Sequence, residues 1–310
     1  MEEFEVFFRK ALRSENKLLD RVSHYIIRRK GKQMRPMFVF LTSKLCGGIT
    51  ESSYIAAAVI ELLHTATLVH DDVVDDAQTR RGFFSINALW KNKIAVLVGD
   101  YLLSKGLLMS IDRNEFQLLH IVSKAVREMS EGELLQQEKS RLLDITEDIY
   151  YTIIRQKTAS LIAACCASGA SAAAATEEQL LRMTEFGTYV GLAFQIKDDL
   201  FDYGLGKNTG KATGIDIAER KMTLPLIHAL NVSDKPTRKF LINTIKNYNK
   251  DNARVSQLLE VVKNAGGVNY AVKKMEEFRD KAIEILSTFE DNDARHSLEH
   301  LVHFTINREK

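Results

Sequence analysis

Two groups of carboxylates carry the strongest chemical signal in this chain. Asp71-Asp72-Val73-Val74-Asp75-Asp76 and Asp198-Asp199-Leu200-Phe201-Asp202 share one spacing. On a helix, residues four apart lie on one face with Cβ atoms about 5–6 Å apart. Asp71 therefore points the same way as Asp75, and Asp198 the same way as Asp202. Like charges so placed destabilise a helix unless something positive sits between them. A solvated acidic face is the bland reading, and the flanks argue against it. Leu68, Val69, Val73 and Val74 surround the first group; Leu192, Phe194, Ile196, Leu200 and Phe201 surround the second. Carboxylates on largely apolar helices are costly unless paired or metal-bound. All-oxygen ligation favours Mg²⁺, which completes its octahedron with water and phosphate oxygens. The expectation is a phosphorylated substrate held by metal on Asp71, Asp72, Asp75, Asp198, Asp199 and Asp202.

A diphosphate needs further cations. Gly31-Lys32-Gln33-Met34-Arg35-Pro36, Arg80-Arg81-Gly82, Lys157-Thr158, Lys211 and Lys221 supply candidates. Each alone is weak, because a single Lys or Arg is usually a solvated surface charge, the reading given to Arg28, Arg29 and Lys30. Arginine suits bidentate phosphate contact and lysine supplies a point charge. His64 lies two helical turns before Asp71 on nearly the same face. It reads either as a satisfied core histidine or as a donor to a substrate oxygen.

The elements that must carry these residues read as helices. Prolines are confined to Pro36, Pro225 and Pro236, and apolar residues recur at three-and-four spacing. Phe116, Leu119, Val122, Val126 and Met129 form one stripe; Ile149, Ile153, Ile154 and Leu161 contribute to another. Thr176-Glu177-Glu178-Gln179 reads as a capping box opening a helix at about residue 177. Strand-type alternation is scarcely present. The reading is all-α with short polar connections. The glycine-rich stretch 204–214 fails the phosphate-loop pattern. Leu205 stands where a glycine is needed, and Ala212 follows Lys211 where Ser or Thr is needed.

Composition narrows the class further. The chain has 310 residues, 45% of them hydrophobic, and 43 basic against 41 acidic side chains. That suffices for a large core and leaves no global field to recruit nucleic acid. Cys46, Cys165 and Cys166 show no zinc spacing and fit a reducing cytosol. The start, Met1-Glu2-Glu3, lacks an apolar signal core. The uncharged stretch from Thr158 to Thr176 is mostly Ala, Ser, Cys and Gly, so it reads as a closely packed core helix rather than a membrane span. A cytoplasmic protein without a transmembrane segment is expected.

Taken together and in this order, the two Asp-Asp-x-x-Asp motifs, Gly-Lys-x-x-Arg-Pro and Arg-Arg-Gly make the chain resemble a trans-type polyprenyl diphosphate synthase over essentially its whole length. Ile60 to Gly82 is most similar to the long-chain, octaprenyl-like branch. The resemblance implies one domain over 1–310, a bundle of ten or more helices around a central cavity. It implies three Mg²⁺ ions and a homodimer, with peripheral membrane contact for product release. Arg80, Lys157, Thr158, Gln195, Lys211 and Lys221 match positions that hold the allylic diphosphate. Lys157, Thr158 and Gln195 would also border the allylic cation. Lys32, Arg35, His64 and Arg81 match the pocket for isopentenyl diphosphate, and Arg308 would close over it. Many farnesyl synthases end Gly-Gln-x-x-Asp with Asp, whereas Gly132-Glu133-Leu134-Leu135-Gln136 ends with Gln, as long-chain relatives often do.

The implied reaction adds isopentenyl units to an allylic diphosphate by ionisation, condensation and proton loss. Ala66 and Thr67 are small where farnesyl synthases commonly place an aromatic ring. A facing helix beginning near Asp100 offers Leu103, Leu107 and the small Ser110. Products of thirty to forty-five carbons, suited to quinone side chains, are therefore expected. The alternatives are a farnesyl or geranylgeranyl synthase and a non-catalytic subunit of a heteromeric synthase. A di-iron protein would need a second Glu-x-x-His besides Glu61-Leu62-Leu63-His64. A terpene cyclase would normally have lost the second aspartate motif, and a calcium-binding scaffold leaves the basic motifs unexplained.

Overall fold

All three prolines stand in the first turn of a helix, where a missing N–H breaks no intrahelical bond. No helix interior is therefore interrupted by proline. The computed structural model describes residues 1–28, 31–80, 82–205 and 213–307. In chain order the helices are α1 (Glu2–Ala11), α2 (Lys17–Arg28), α3 (Met34–Cys46), α4 (Glu51–Val74), α5 (Ile86–Asp112), α6 (Phe116–Leu142) and α7 (Glu147–Ile154). A π turn (Arg155–Ala159) leads into α8 (Ser160–Ala172), and α9 (Glu177–Asp202) follows. The remainder is α10 (Ile215–Ala218), α11 (Leu224–Val232), α12 (Lys235–Asn247), α13 (Asn252–Asn264), α14 (Gly267–Ser287) and α15 (Asp293–Asn307). Among the described residues the only sheet pairs β1 (Thr79–Arg80) antiparallel with β2 (Phe83–Phe84). The class is all-α.

The starts of these helices are chemically marked. Thr176 Oγ1 accepts from the Gln179 N–H at 3.2 Å while Gln179 Oε1 accepts from the Thr176 N–H at 3.0 Å. This is the reciprocal capping box expected at residue 177. Side chains of Thr50, Ser85, Thr146, Asp234 and Asp251 each accept a first-turn backbone N–H at the starts of α4, α5, α7, α12 and α13.

The chain divides into two compact units. The first comprises Met1–Lys124 and Ala164–Leu181, the second Ala125–Ala163 and Arg182–Lys310. In the first, α4 is the central helix. Ala56, Ala57, Ala58, Ile60, Leu62 and Ala66 are fully buried, and α4 packs along α5 through Ala66, Val69, Ala95, Val98 and Leu102. The uncharged stretch before Thr176 is indeed a tightly packed helix. Its Ala164, Cys165, Cys166, Ala167 and Ala170 are buried, and a Cβ on Gly169 would lie 2.3 Å from the Val39 carbonyl oxygen. In the second unit, Phe186, Val190, Ile196 and Leu200 of α9 are buried, as are Leu224 and Leu226 of α11, Leu241 and Ile245 of α12, and Leu258 and Val262 of α13.

Two expectations are corrected. The helix carrying Leu103, Leu107 and Ser110 begins at Ile86, not near Asp100, with a break at Lys91 (φ 72°, ψ 158°). On α6 the buried line runs through Leu118, Val122 and Ala125, and Phe116 is 60% exposed. Two apolar stripes lie side by side on α6, and periodicity alone cannot choose between them.

Candidate active site

The first carboxylate group ends α4. Asp71 and Asp75 are exposed on one face, and Asp72 is buried on another. Asp75 caps the helix, and Asp76 turns the chain with a left-handed φ of 48°. Asn87 donates to the Asp72 carbonyl at 3.1 Å, and Ser85 Oγ donates to the Ala77 carbonyl at 2.6 Å. These bonds fix the exit of α4 against the start of α5. The Tyr25 hydroxyl donates to the Phe84 carbonyl at 2.5 Å, holding the β1–β2 turn that carries Arg80. Arg81 lies outside the described residues.

His64 and Arg35 belong to the same unit, each with one nitrogen, Nδ1 and Nε respectively, buried from solvent. The Arg35 charge lies close enough to the buried Cys165 thiol to act on it, as does Glu61. Lys32 is exposed just before α3. Ala66 and Ser110 are both fully buried, Ser110 donating to the Gly106 carbonyl at 3.2 Å. Thr67 is half-buried and donates to the His64 carbonyl at 2.8 Å.

The second group ends α9, inside a hydrogen-bonded relay. Thr158 Oγ1 donates to Gln195 Oε1 at 2.7 Å, and Gln195 Nε2 donates to Asp199 Oδ1 at 2.8 Å. The Tyr150 hydroxyl donates to Asp199 Oδ2 at 2.7 Å. Glycine makes this possible. A Cβ on Gly191 would sit 2.4 Å from Ala159 Cα, so only glycine lets α9 lie against the π turn one helical turn before Gln195. On the turn's other side, a Cβ on Gly132 would sit 2.8 Å from the Lys157 nitrogen. That close approach puts Lys157 Nζ 2.5 Å from both Glu133 Oε2 and Gln136 Oε1. Single π turns recur at functional sites.

Asp202 does different work. Its two carboxylate oxygens accept the N–H groups of Ile215 at 2.8 Å and Asp216 at 3.1 Å. It thereby anchors the chain beyond the glycine-rich stretch. A carboxylate has about four lone-pair sites, so this anchoring leaves capacity for a cation. Lys221 pairs with Glu219, and Lys211 lies outside the described residues.

Electrostatics in this unit are dominated by buried acid. Burial, with the nearby Asp216 charge, pushes Asp199 up to about 8 despite its two donors. Burial and Asp202 push Asp216 up to about 6. Burial opposes ionisation of Glu133, yet Lys157 and the more distant Lys221 hold its carboxyl below the ordinary value. Lys221 is raised against its own burial by Glu219, Asp216 and Glu133.

Both acidic groups occupy helix C-termini, and neither last turn contains a basic residue. The helix dipole favours cations there, so carboxylates at this end call for positive charge from outside their own helix. All-oxygen donors at a negative helix end fit a hard divalent cation. Among the described residues no three His, Cys, Asp or Glu side chains form a preformed metal cage. An open carboxylate set of that kind suits Mg²⁺, which keeps water and phosphate oxygens among its ligands.

The structure thus brings together Lys157, Thr158, Gln195, Asp199 and Lys221, all within one unit. Sequence reading missed Tyr150 and Asp216. Tyr150 sits in the apolar run Ile149-Tyr150-Tyr151-Thr152-Ile153 and carries no signal of its own. Asp216 is a lone acid after Gly214, found only through its bond to Asp202. Arg308 lies outside the described residues.

Comparison with known proteins gives the family and the fold. The Polyprenyl synthetase family profile matches residues 16–262. The octaprenyl diphosphate synthase of Escherichia coli (strain K12) is 35% identical over 96% of this chain and 93% of its own. A decaprenyl diphosphate synthase from Rhodobacter capsulatus superposes with a TM-score of 0.93 at 34% identity, covering 100% of this chain and 96% of that one. A polyprenyl synthase from Caulobacter crescentus CB15, complexed with calcium and isoprenyl diphosphate, reaches a TM-score of 0.90 at 32% identity, covering 100% and 95%.

Proposed function

The chain belongs to the polyprenyl synthetase family, and from that premise we propose how its residues divide the work. It is a prenyltransferase, a trans-polyprenyl diphosphate synthase with a medium- or long-chain product. The observation that carries the residue assignment is the pair of carboxylate sets ending α4 and α9, the second tied through Gln195 to Thr158.

Asp71, Asp72, Asp75, Asp198, Asp199 and Asp202 would hold Mg²⁺, three ions per site. When bound, the metal neutralises charge on the leaving diphosphate. Arg80, Lys157, Lys211 and Lys221 bind the allylic diphosphate. Lys32, Arg35, His64 and Arg81 bind isopentenyl diphosphate, with Arg308 closing over it. The allylic C–O bond breaks, the isopentenyl double bond attacks the allylic carbon, and a proton passes to the departed diphosphate. The Thr158 hydroxyl proton is committed to Gln195, so the Thr158 oxygen keeps lone pairs that would favour a positive carbon brought near it. Tyr150 and Gln195 keep Asp199 oriented, and the Glu133–Gln136 pair keeps Lys157 extended.

The enzyme works as a cytoplasmic homodimer. Among the described residues two helices, α4 and α5, are long and apolar enough to cross a membrane by length and composition alone. Most of the apolar window of α4 is buried inside the fold, whereas α5 leaves Leu97 55%, Leu108 55% and Ile111 46% exposed on one stripe with Ser104. That stripe supports burial against a second copy. Purified chain given isopentenyl diphosphate, farnesyl diphosphate and Mg²⁺ should yield a ladder of longer diphosphates by mass analysis. A single chain that turns over nothing would transfer the activity to a heteromeric partner.

A further inference from the structure

Charge in this chain is unevenly placed. Residues 231–254 hold six basic and two acidic side chains, a net of +4, whereas the whole chain is +2. The remaining chain is therefore slightly acidic, and the basic segment stands apart. It contains α12 and the start of α13, both inside the second compact unit.

The helix sorts its residues by face. Leu241, Thr244 and Ile245 are buried on the inner face. Lys235, Lys239, Ile242 and Lys246 recur at intervals of four, three and four, which places them on one outward stripe. The three lysines are exposed, and among the described residues none of them makes an ion pair. The stripe is about 16 Å long. Beside it lies an open groove of 610 Å³ lined by Pro236, Lys239, Phe240, Ile242, Asn243 and Lys246. Arg254 lies over the rings of Tyr248 at 4.7 Å and Phe240 at 5.8 Å, so the aromatic wall of the groove carries a further cation.

We propose that the outer face of α12 docks the enzyme on an anionic membrane surface, with Lys235, Lys239 and Lys246 meeting lipid phosphates and the Phe240–Ile242 groove meeting acyl carbon. A straight lysine row on one helix fits a flat anionic surface, and polybasic faces beside apolar groups are how proteins rest on such surfaces. Nucleic acid is the poorer partner, because no field beyond this stripe would hold an extended polyanion. The need for a membrane rests on the synthase reading. The product is a diphosphate on a long hydrocarbon tail, and such a tail partitions into lipid.

The test uses the full chain and vesicle flotation, a readout independent of prenyl transfer. Wild type should float with phosphatidylcholine–phosphatidylglycerol vesicles in low salt, not with phosphatidylcholine alone, and should be released by high salt. Combined Lys235→Glu, Lys239→Glu and Lys246→Glu should lower partitioning about a hundredfold. Helical content and turnover on a soluble short primer should stay within about twofold of wild type. Equal flotation of the triple variant, or equal binding to neutral vesicles, would overturn the assignment. So would wild type that ignores anionic vesicles yet is retained by heparin. Loss of turnover in wild type itself would count against the synthase reading and leave the flotation result standing.

Discussion

The Tyr150 hydroxyl donates to Asp199 at 2.7 Å inside a site where both residues are buried. Asp199 belongs to the acidic group; Tyr150 comes from α7, forty-nine positions earlier. Removing a hydrogen-bond partner of a metal-binding group typically costs about 10–100-fold in metal affinity or activity. Tyr150→Phe should therefore raise the Mg²⁺ concentration for half-maximal turnover by about tenfold, with the fold retained. An unchanged Mg²⁺ titration would reduce Tyr150 to a packing role.

Acid burial sets a pH expectation for the metal-free protein. Asp199 is pushed up to about 8 and Asp216 to about 6, both chiefly by burial. A group whose folded pKa is raised stabilises the fold fully below its unfolded value, near 3.9, and loses that contribution as pH rises through the folded value. These two residues therefore weaken the metal-free fold progressively between about pH 4 and pH 8. Mg²⁺ competes with the same protons, so its stabilising effect should be larger at pH 8 than at pH 5.5. Thermal melts with chelator and with Mg²⁺ at both pH values decide it; an equal or larger Mg²⁺ shift at pH 5.5 contradicts it.

What the sequence made legible follows from how local each signal is. The helical class and the box at Thr176–Gln179 are written in neighbouring residues, and the structure has them. So is the common face of Asp71 and Asp75. The Thr158–Gln195–Asp199 relay was legible only as separate residues, because it depends on Gly191 meeting Ala159 across two elements. Tyr150 was invisible, since a tyrosine inside an apolar run looks like core until its hydroxyl finds a partner. Which stripe of α6 is buried depended on neighbours that the local pattern does not name.

Carboxylates at helix C-termini make a further distinction testable. Asp71→Ala and Asp198→Ala should each lower turnover by more than the ~100-fold upper range for losing a ligand's partner. Helical content should persist, because each acid stands in the last turn of its helix or beside it rather than in the buried apolar core. Near-normal turnover in both variants at limiting Mg²⁺ would remove these residues from the metal set.

The two diphosphate pockets should separate kinetically. Lys32→Ala and Arg35→Ala should raise KM for isopentenyl diphosphate by about tenfold or more, as expected for losing one charge-assisted contact. Lys211→Ala and Lys221→Ala should act mainly on the allylic substrate. Lys221 lies in the charge field of Glu133 and Asp216, in the unit that holds Thr158 and Gln195. If all four variants change both constants equally, the division of pockets fails.

Product length turns on small residues before Asp71. A helix rises about 1.5 Å per residue, so Thr67 and Ala66 sit roughly 6 and 7.5 Å from Asp71 along α4. The structure separates the two. Ala66 is fully buried among Leu62, Val69, Ala95, Val98 and Leu102, whereas Thr67 is only half-buried. A phenylalanine at 66 enters a packed cluster, and such overpacking costs about 1–3 kcal/mol. A phenylalanine at 67 replaces a part-exposed threonine whose hydroxyl bonds the local His64 carbonyl. Thr67→Phe is therefore the cleaner probe, with Ala66→Phe as its companion. If the growing tail passes this level of α4, Thr67→Phe should shift products from beyond fifteen carbons towards fifteen or twenty, with the first condensation retained and the melting temperature near wild type. Ala66→Phe should shorten the product too, at a lower melting temperature. Active variants at both positions with an unchanged product ladder would show that the tail does not pass here, and that Ala66 serves only the α4–α5 contact.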